Sequence, residues 1–151
     1  MKYLIQNKDG SVLIMTTTAD DISVGDEIAK WSNEEKDNAI LYKELNESDI
    51  PEDRYFRDSW VHSDDRIVID MPKAVKIHTD RLREIRNEKL KELDILSARA
   101  SESKDEVKLK FFLDKKQELR DVPTNPDILN AKTPEELKSV MPSVLTEVFT
   151  F

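Results

Sequence analysis

The feature that most constrains the fold is a long stretch after Pro72 that contains neither glycine nor proline. From Lys73 to about Ser101 the residues are mostly good helix formers, with many Lys, Glu and Leu. This composition, uninterrupted by glycine or proline, predicts one helix over residues 73–101, roughly 40 Å long. Alternating steps of three and four residues connect the positions on its predicted inner face, which are Val75, His78, Leu82, Ile85, Lys89, Leu93 and Leu96.

A second predicted helix follows a short polar link. Ser101–Asp105 supplies turn and N-cap candidates, and apolar residues then recur from Val107 to Leu119. These signals predict a helix over residues 104–121. Two helices joined by so short a link form an antiparallel hairpin.

A third helix is predicted near the end of the chain, after Pro123 and Pro126 have stopped the second. The sequence Thr133-Pro134-Glu135-Glu136 combines a capping residue, a proline suited to the first helical position and a Glu that can complete a capping box. The third helix therefore begins at about residue 134. Leu137, Met141, Val144 and Val148 would keep one face apolar, with Pro142 as its end or kink.

Residues 1–71 predict a small antiparallel sheet with one short helix. A turn that ends in Gly10 separates the first two β-prone runs, which indicates a hairpin. Asp20 or Ser23 is the candidate N-cap of the helix, over residues 26–31. The candidate strands are Tyr3–Ile5, Val12–Met15, Ile40–Leu45, Tyr55–Val61 and Ile67–Ile69.

Charge divides the chain at the same point as the secondary-structure signals. Residues 1–72 hold 8 Lys and Arg against 17 Asp and Glu, whereas residues 73–151 hold 16 against 15. The net charge of -8 therefore comes from the first half. We predict an α+β protein with two domains, a small acidic sheet module over residues 1–71 and a helical module over residues 72–151.

Several functional classes lack their usual residues. The chain has no cysteine, and His62 and His78 are not part of a His-Glu-x-x-His helix, so no metal ligand set is recognisable. Gly10 and Gly25 lie in no phosphate-binding loop or nucleophile elbow. We therefore expect a protein that is not an enzyme and has no cofactor.

The charge pattern also bears on partners. An acidic first half repels phosphate backbones and the second half is close to neutral, so nucleic-acid binding is not expected. Apolar runs are too short for a signal peptide or a membrane span, which predicts no membrane association.

Two aromatic or apolar clusters have alternative interpretations. Tyr55, Phe56 and Trp60 either form core of the first module or include a partner-binding anchor, for which Trp60 is the candidate. The apolar end of the chain, with Val148, Phe149 and Phe151, either packs back on the helices or docks on another chain.

Two motifs carry a family resemblance. On the first predicted helix Arg86-Asn87 is followed by Leu90 and Asp94, and the second ends in Leu119-Arg120-Asp121-Val122-Pro123. With these motifs, residues 71–140 resemble the C-terminal region of phage and prophage tail assembly chaperones. The sequence departs from that pattern at Ile95, where an aromatic is common, and at Lys115-Lys116, where Tyr-Arg is often found.

The resemblance implies a noncatalytic tail or tail-fibre assembly protein, chaperone-like, that binds a virion structural polypeptide. Its implied location is the host cytoplasm or the virion, and homo-oligomerisation stays open. A stable minor component of a tail or baseplate is the alternative. Four polar residues either hold the register of the hairpin or contact the partner, namely Arg86, Asn87, Arg120 and Asp121.

Overall fold

The computed structural model describes residues 1–17 and 23–150. It has an α+β architecture, with strands in the first half and mainly helices in the second. The chain divides into two compact units, Met1–Ala74 and Val75–Phe151. Two predicted residues, the candidate cap Asp20 and the candidate contact residue Phe151, lie outside the described residues.

A three-stranded antiparallel sheet forms the first part of the first unit. The strands are β1 (Lys2–Asn7), β2 (Val12–Thr16) and β3 (Ala39–Leu45), in the order β2-β1-β3. The predicted hairpin is confirmed. Its turn requires Gly10, whose φ of 80° lies in the left-handed region that favours glycine.

A separate two-stranded ribbon follows. β4 (Trp60–Ser63) and β5 (Arg66–Ile69) pair through a tight turn at Asp64 and Asp65, which both have positive φ. The first strand of this pair was predicted over Tyr55–Val61, and its predicted start was wrong. The strand begins only at Trp60, because Arg57–Ser59 forms a 3₁₀ turn. The hydroxyl of Ser59 donates to the carbonyl oxygen of Phe56 at 2.7 Å and stabilises that turn.

Two short helices, rather than the single predicted one, connect β2 to β3. The first, α1 (Val24–Ala29), is capped by Ser23, and the second, α2 (Asn33–Asn38), is capped by Ser32. α2 has no buried residue, so it has no apolar periodicity to reveal it. Its only sequence signal is Ser32 followed three residues later by Glu35, which together form a capping box.

The apolar cluster around Trp60 forms on one face of the three-stranded sheet and includes the ribbon, while Ile5 is buried on the other face. Trp60 is 3% exposed and packs with apolar residues from four strands. Trp60 is therefore a core residue. Of its two predicted roles, core of the first module or partner-binding anchor, the structure supports the first. The buried members are Leu4, Leu45, Trp60 and Ile67, against which Val12, Ile14, Leu41, Ile50 and Ile69 pack.

Two long helices dominate the second half of the chain. α3 (Met71–Glu102) and α4 (Glu106–Asp121) extend close to the predicted bounds of 73–101 and 104–121. The link between them contains Lys104 with a φ of 55°, and the carboxylate of Asp105 accepts from the backbone N–H of Lys108 at 3.0 Å. Asp105 is therefore the N-cap of α4.

Two single-turn helices follow α4, where one longer helix was predicted. Pro126 begins α5 (Pro126–Asn130), because Asn125 caps it and proline suits the first turn. α6 (Pro134–Ser139) begins as predicted at Pro134, with the hydroxyl of Thr133 accepting from the N–H of Glu136 at 3.2 Å. The carboxylate of Glu136 accepts from the N–H of Lys132 instead of closing the predicted capping box.

The predicted apolar face of that helix does not form. α6 ends at Ser139, and Val140 already has an extended backbone. The next residue, Met141, precedes Pro142, which disfavours helix at the residue before it. Leu137 and Val144 are buried, whereas Met141 and Val148 are exposed. Searching the described part of the chain finds no helix with the length and apolarity that a membrane crossing requires.

The burial pattern of α4 gives a matched test of the core. We expect Leu119→Ala, at a fully buried position, to lower the free energy of unfolding by about 2–5 kcal/mol, because it removes packed methyl groups and leaves a cavity. Leu113→Ala, at a 48% exposed position of the same helix, should cost about 1 kcal/mol or less. Urea unfolding of both variants checks this, and equal losses would contradict the packing described.

Candidate functional site

The last residues of the second unit lie against its two long helices. We call residues 140–149 the C-terminal segment. Nε2 of His78 on α3 donates to the carbonyl oxygen of Val140 at 2.8 Å, and Nζ of Lys89 donates to the carbonyl oxygen of Glu147 at 2.7 Å. Nζ of Lys115 on α4 lies 3.0 Å from the carboxylate of Glu147. The segment is thus bonded to α3 at two points and to α4 at one.

Apolar side chains add to these polar bonds. Val144, Leu145 and Phe149 are buried, and Nζ of Lys89 lies 5.3 Å from the centre of the Phe149 ring. Phe149 therefore packs back onto the helices, one of the two predicted alternatives for the end of the chain. Val148 is 75% exposed and stays accessible to a partner.

Lys115 is the most strongly paired lysine of this region. Its ammonium group bonds the carboxylates of Glu118 and Glu147, each at about 3.0 Å. These two hydrogen bonds raise the pKa of Lys115 above its usual value, with the bond to Glu118 contributing most. Lys115 therefore remains charged at neutral pH and keeps its bond to the C-terminal segment.

An apolar groove adjoins Phe149. A cavity of about 220 Å³ lies between residues of α3 and α4 near the link that joins them. We call it the α3–α4 groove. Its apolar lining can take a hydrophobic side chain, and Arg99 can pair with an acidic neighbour of that side chain, whereas Lys108 already lies 3.7 Å from the carboxylate of Asp105. The lining residues are Leu96, Arg99, Ala100, Ser103, Lys108, Phe112 and Phe149.

The register of the hairpin is fixed by Lys116. Its ammonium group bonds the carboxylate of Asp94 at 2.7 Å and the hydroxyl of Ser97 at 2.9 Å, both on α3. The Lys116 side chain is only 12% exposed, so this pair is screened less than a surface pair. The predicted family pattern often has Arg at this position, and here a lysine joins the two helices.

The four polar residues of the resemblance do not meet across the hairpin. Arg86 donates to Asn87 at 3.0 Å, and Gln117 donates to Asp121 at 3.0 Å, so these bonds stay within one helix. The prediction that they hold the register was therefore wrong. In an antiparallel pair, Lys116 opposite Asp94 and Ser97 places Arg120 opposite about residues 90–93, one turn away from Arg86.

The structure separates the predicted contact residues by accessibility. Asn87, Arg120, Asp121 and Val148 are exposed, and Arg86 is half-buried. Trp60 and Phe149 are almost fully buried, and each lines a cavity of its own unit. Phe151 lies outside the described residues.

Sequence reasoning missed the lysines that bind the C-terminal segment and join the hairpin. Lys89 occupies a position on the predicted inner face of the first helix, which is unusual for a charged side chain unless it has a partner. The position of Lys89 and the unusual Lys115-Lys116 pair were the two features of the sequence that could have indicated these lysines. They could not identify Glu147 as the partner, because that contact spans 58 residues for Lys89 and 32 for Lys115.

Among residues 1–17 and 23–150, no group of three His, Asp or Glu side chains is placed to hold a metal ion. Comparison of the chain with protein-family models, with curated proteins and with solved structures gives no match. The resemblance to tail assembly chaperones therefore rests on its motifs.

Lys116 and Lys110 provide a matched pair of variants on α4. We expect Lys116→Met to lower the free energy of unfolding by about 1–2 kcal/mol, because it removes two bonds between the helices and leaves Ser97 without its donor. Lys110→Met removes only an exposed pair with Asp114 inside α4 and should cost about 0.5 kcal/mol or less. Urea unfolding measures both, and equal effects would show that Lys116 does not join the helices.

Proposed function

We propose that this protein is a noncatalytic phage or prophage tail or tail-fibre assembly protein that acts as a chaperone for a virion structural polypeptide. The motifs on α3 and α4 support the family, and the α3–α4 groove supports a binding role. In this proposal the groove covers an apolar segment of the client until that segment is buried in the assembled tail.

The observation that carries the proposal is the way α3 and α4 hold the C-terminal segment of this same chain. The helices bury the ring of Phe149 and bond the carboxylate of Glu147, two residues earlier. A segment with an acidic residue close to a large apolar residue therefore suits these two helices. The groove beside Phe149 continues the same chemistry, with Leu96 and Phe112 as apolar lining and Arg99 and Lys108 as cations.

The groove also suits a client that must later be released. It takes one or two side chains, so the buried area is small and the affinity is limited by the ordering of the bound segment. A chaperone needs this limited affinity because the assembled tail must compete successfully for the same apolar surface.

Co-expression with the tail or tail-fibre protein encoded beside this chain tests the proposal. We expect a complex in a pull-down assay and more client in the soluble fraction than without this protein. Absence of both effects would contradict the proposal. Quantification in purified particles adds a second criterion, because a released chaperone is absent from them and a stable tail component is present in fixed stoichiometry.

Two neighbouring residues of α3 locate the binding site. Leu96 lines the groove, whereas Ile95 is 55% exposed and lies outside its lining. We expect Leu96→Glu to weaken client binding by at least about tenfold, the effect of losing one buried anchor. Ile95→Glu introduces the same charge one residue away and should leave binding within about twofold of the original protein. Equal binding by both variants, with helical circular dichroism unchanged, would remove the groove from the proposal.

A further inference from the structure

A second cavity, in the first unit, is lined by groups of a different chemistry. It has a volume of about 130 Å³ and includes side chains from β1, β2, β4 and the segment before β4. Among the described residues that line it, every polar side chain carries a hydrogen-bond donor and none is a carboxylate. Its lining residues are Lys2, Ile14, Thr16, Ile50, Arg54, Arg57 and Trp60.

The two arginines of this cavity differ from its lysine in their pairing. Lys2 pairs with Glu47, but within the described part of the chain the guanidinium groups of Arg54 and Arg57 have no hydrogen bond or ion pair. Residues 1–74 nevertheless contain 17 Asp and Glu against nine Lys and Arg. Without an ion pair among the described residues, the two guanidinium groups keep their hydrogen-bond donors available to a ligand.

A well-anchored turn holds the backbone of both arginines, which are themselves exposed. The backbone N–H of Arg57 donates to the carbonyl oxygen of Arg54 at 3.1 Å. Between them Phe56 is 2% exposed and its ring meets Tyr55 edge to face, with 4.7 Å between the ring centres. The backbone that carries the two guanidinium groups is therefore ordered before any ligand binds, which lowers the entropic cost of binding.

Trp60 adds an independent observation. Its side chain lines the cavity, and its Nε1 is buried without a hydrogen-bond acceptor. Buried donors without an acceptor are rare in native proteins, and a bound ion is one of the few explanations for them. Trp60 shares the lining of the cavity with Arg54 and Arg57, so its indole reports on a ligand that enters the cavity.

We propose that this cavity binds a phosphoryl group. Two guanidinium groups match the charge of a dianion, and their planar forks can donate two hydrogen bonds each to phosphate oxygens. The hydroxyl of Thr16 can supply a donor for a further oxygen. Ile14 and Ile50 offer an apolar wall for the organic part of a phosphate monoester. The site is independent of the proposed function of the α3–α4 groove.

The indole N–H resonance of Trp60 provides a direct readout, because the chain has two tryptophans and therefore two such signals. Trp31→Phe assigns them, and the full chain is then titrated with sodium phosphate against sodium chloride at matched ionic strength. We expect the Trp60 signal to shift saturably while the Trp31 signal of the unsubstituted protein stays in place. A shift that does not saturate, or equal shifts of both signals, would overturn the proposal.

Three arginine variants test the assignment of the ligand-binding groups. Arg54→Gln and Arg57→Gln should each weaken phosphate binding at least tenfold, since each removes a charged donor pair. Arg66→Gln removes the same charge from an exposed position of β5 outside the cavity and should change binding less than twofold. Similar weakening by Arg66→Gln, or binding of acetate as tight as that of phosphate, would overturn the phosphoryl assignment.

A comparison of two phosphate probes identifies the source of the group. Phenyl phosphate has an apolar stem that can contact Ile14 and Ile50, and inorganic phosphate has none. Tighter binding of phenyl phosphate indicates that the natural ligand is an ester, whereas binding no tighter than that of inorganic phosphate indicates the free ion. Failure of both probes to bind would overturn the proposal and leave the groove of the second unit unaffected.

Discussion

The structure of the second unit depends on the bonds between its C-terminal segment and its two long helices. A hairpin of two helices buries little apolar surface alone, and a third element is needed to cover the remaining faces. Glu147 supplies the central contact, because its carbonyl oxygen accepts from Lys89 on α3 and its carboxylate pairs with Lys115 on α4. Phe149 then fills the space that these bonds define.

The same bonds define the candidate site. By holding Phe149 in place, they leave an apolar groove with two cations beside it, and this combination is what supports a protein-binding role. The first unit has a different organisation. Its core is built around Trp60, and it carries a donor-lined cavity with Arg54 and Arg57. The two cavities thus differ in chemistry, with an apolar and cationic lining in the second unit and an arginine-containing, carboxylate-free lining among the described residues of the first.

Local signals in the sequence predicted much of the fold, and the errors came from elements without apolar periodicity and from contacts between distant residues. Gly10 indicated the first hairpin and Thr133 the start of α6, because turns and caps depend on residues within one helical turn. The short helix after Ser32 was missed because none of its residues is buried. The role of Lys116 could not be found from the sequence, since its bonds to Asp94 and Ser97 depend on how two helices pack.

The docking of the C-terminal segment is the central claim, and paramagnetic labelling tests it most directly. The chain has no cysteine, so Val148→Cys provides a single labelling site at a position that is 75% exposed. A nitroxide there should broaden the amide signals of α3 around Lys89 and of α4 around Lys115. Broadening limited to residues close to position 148 in sequence would contradict the account, because it would mean that the segment does not lie against the two helices.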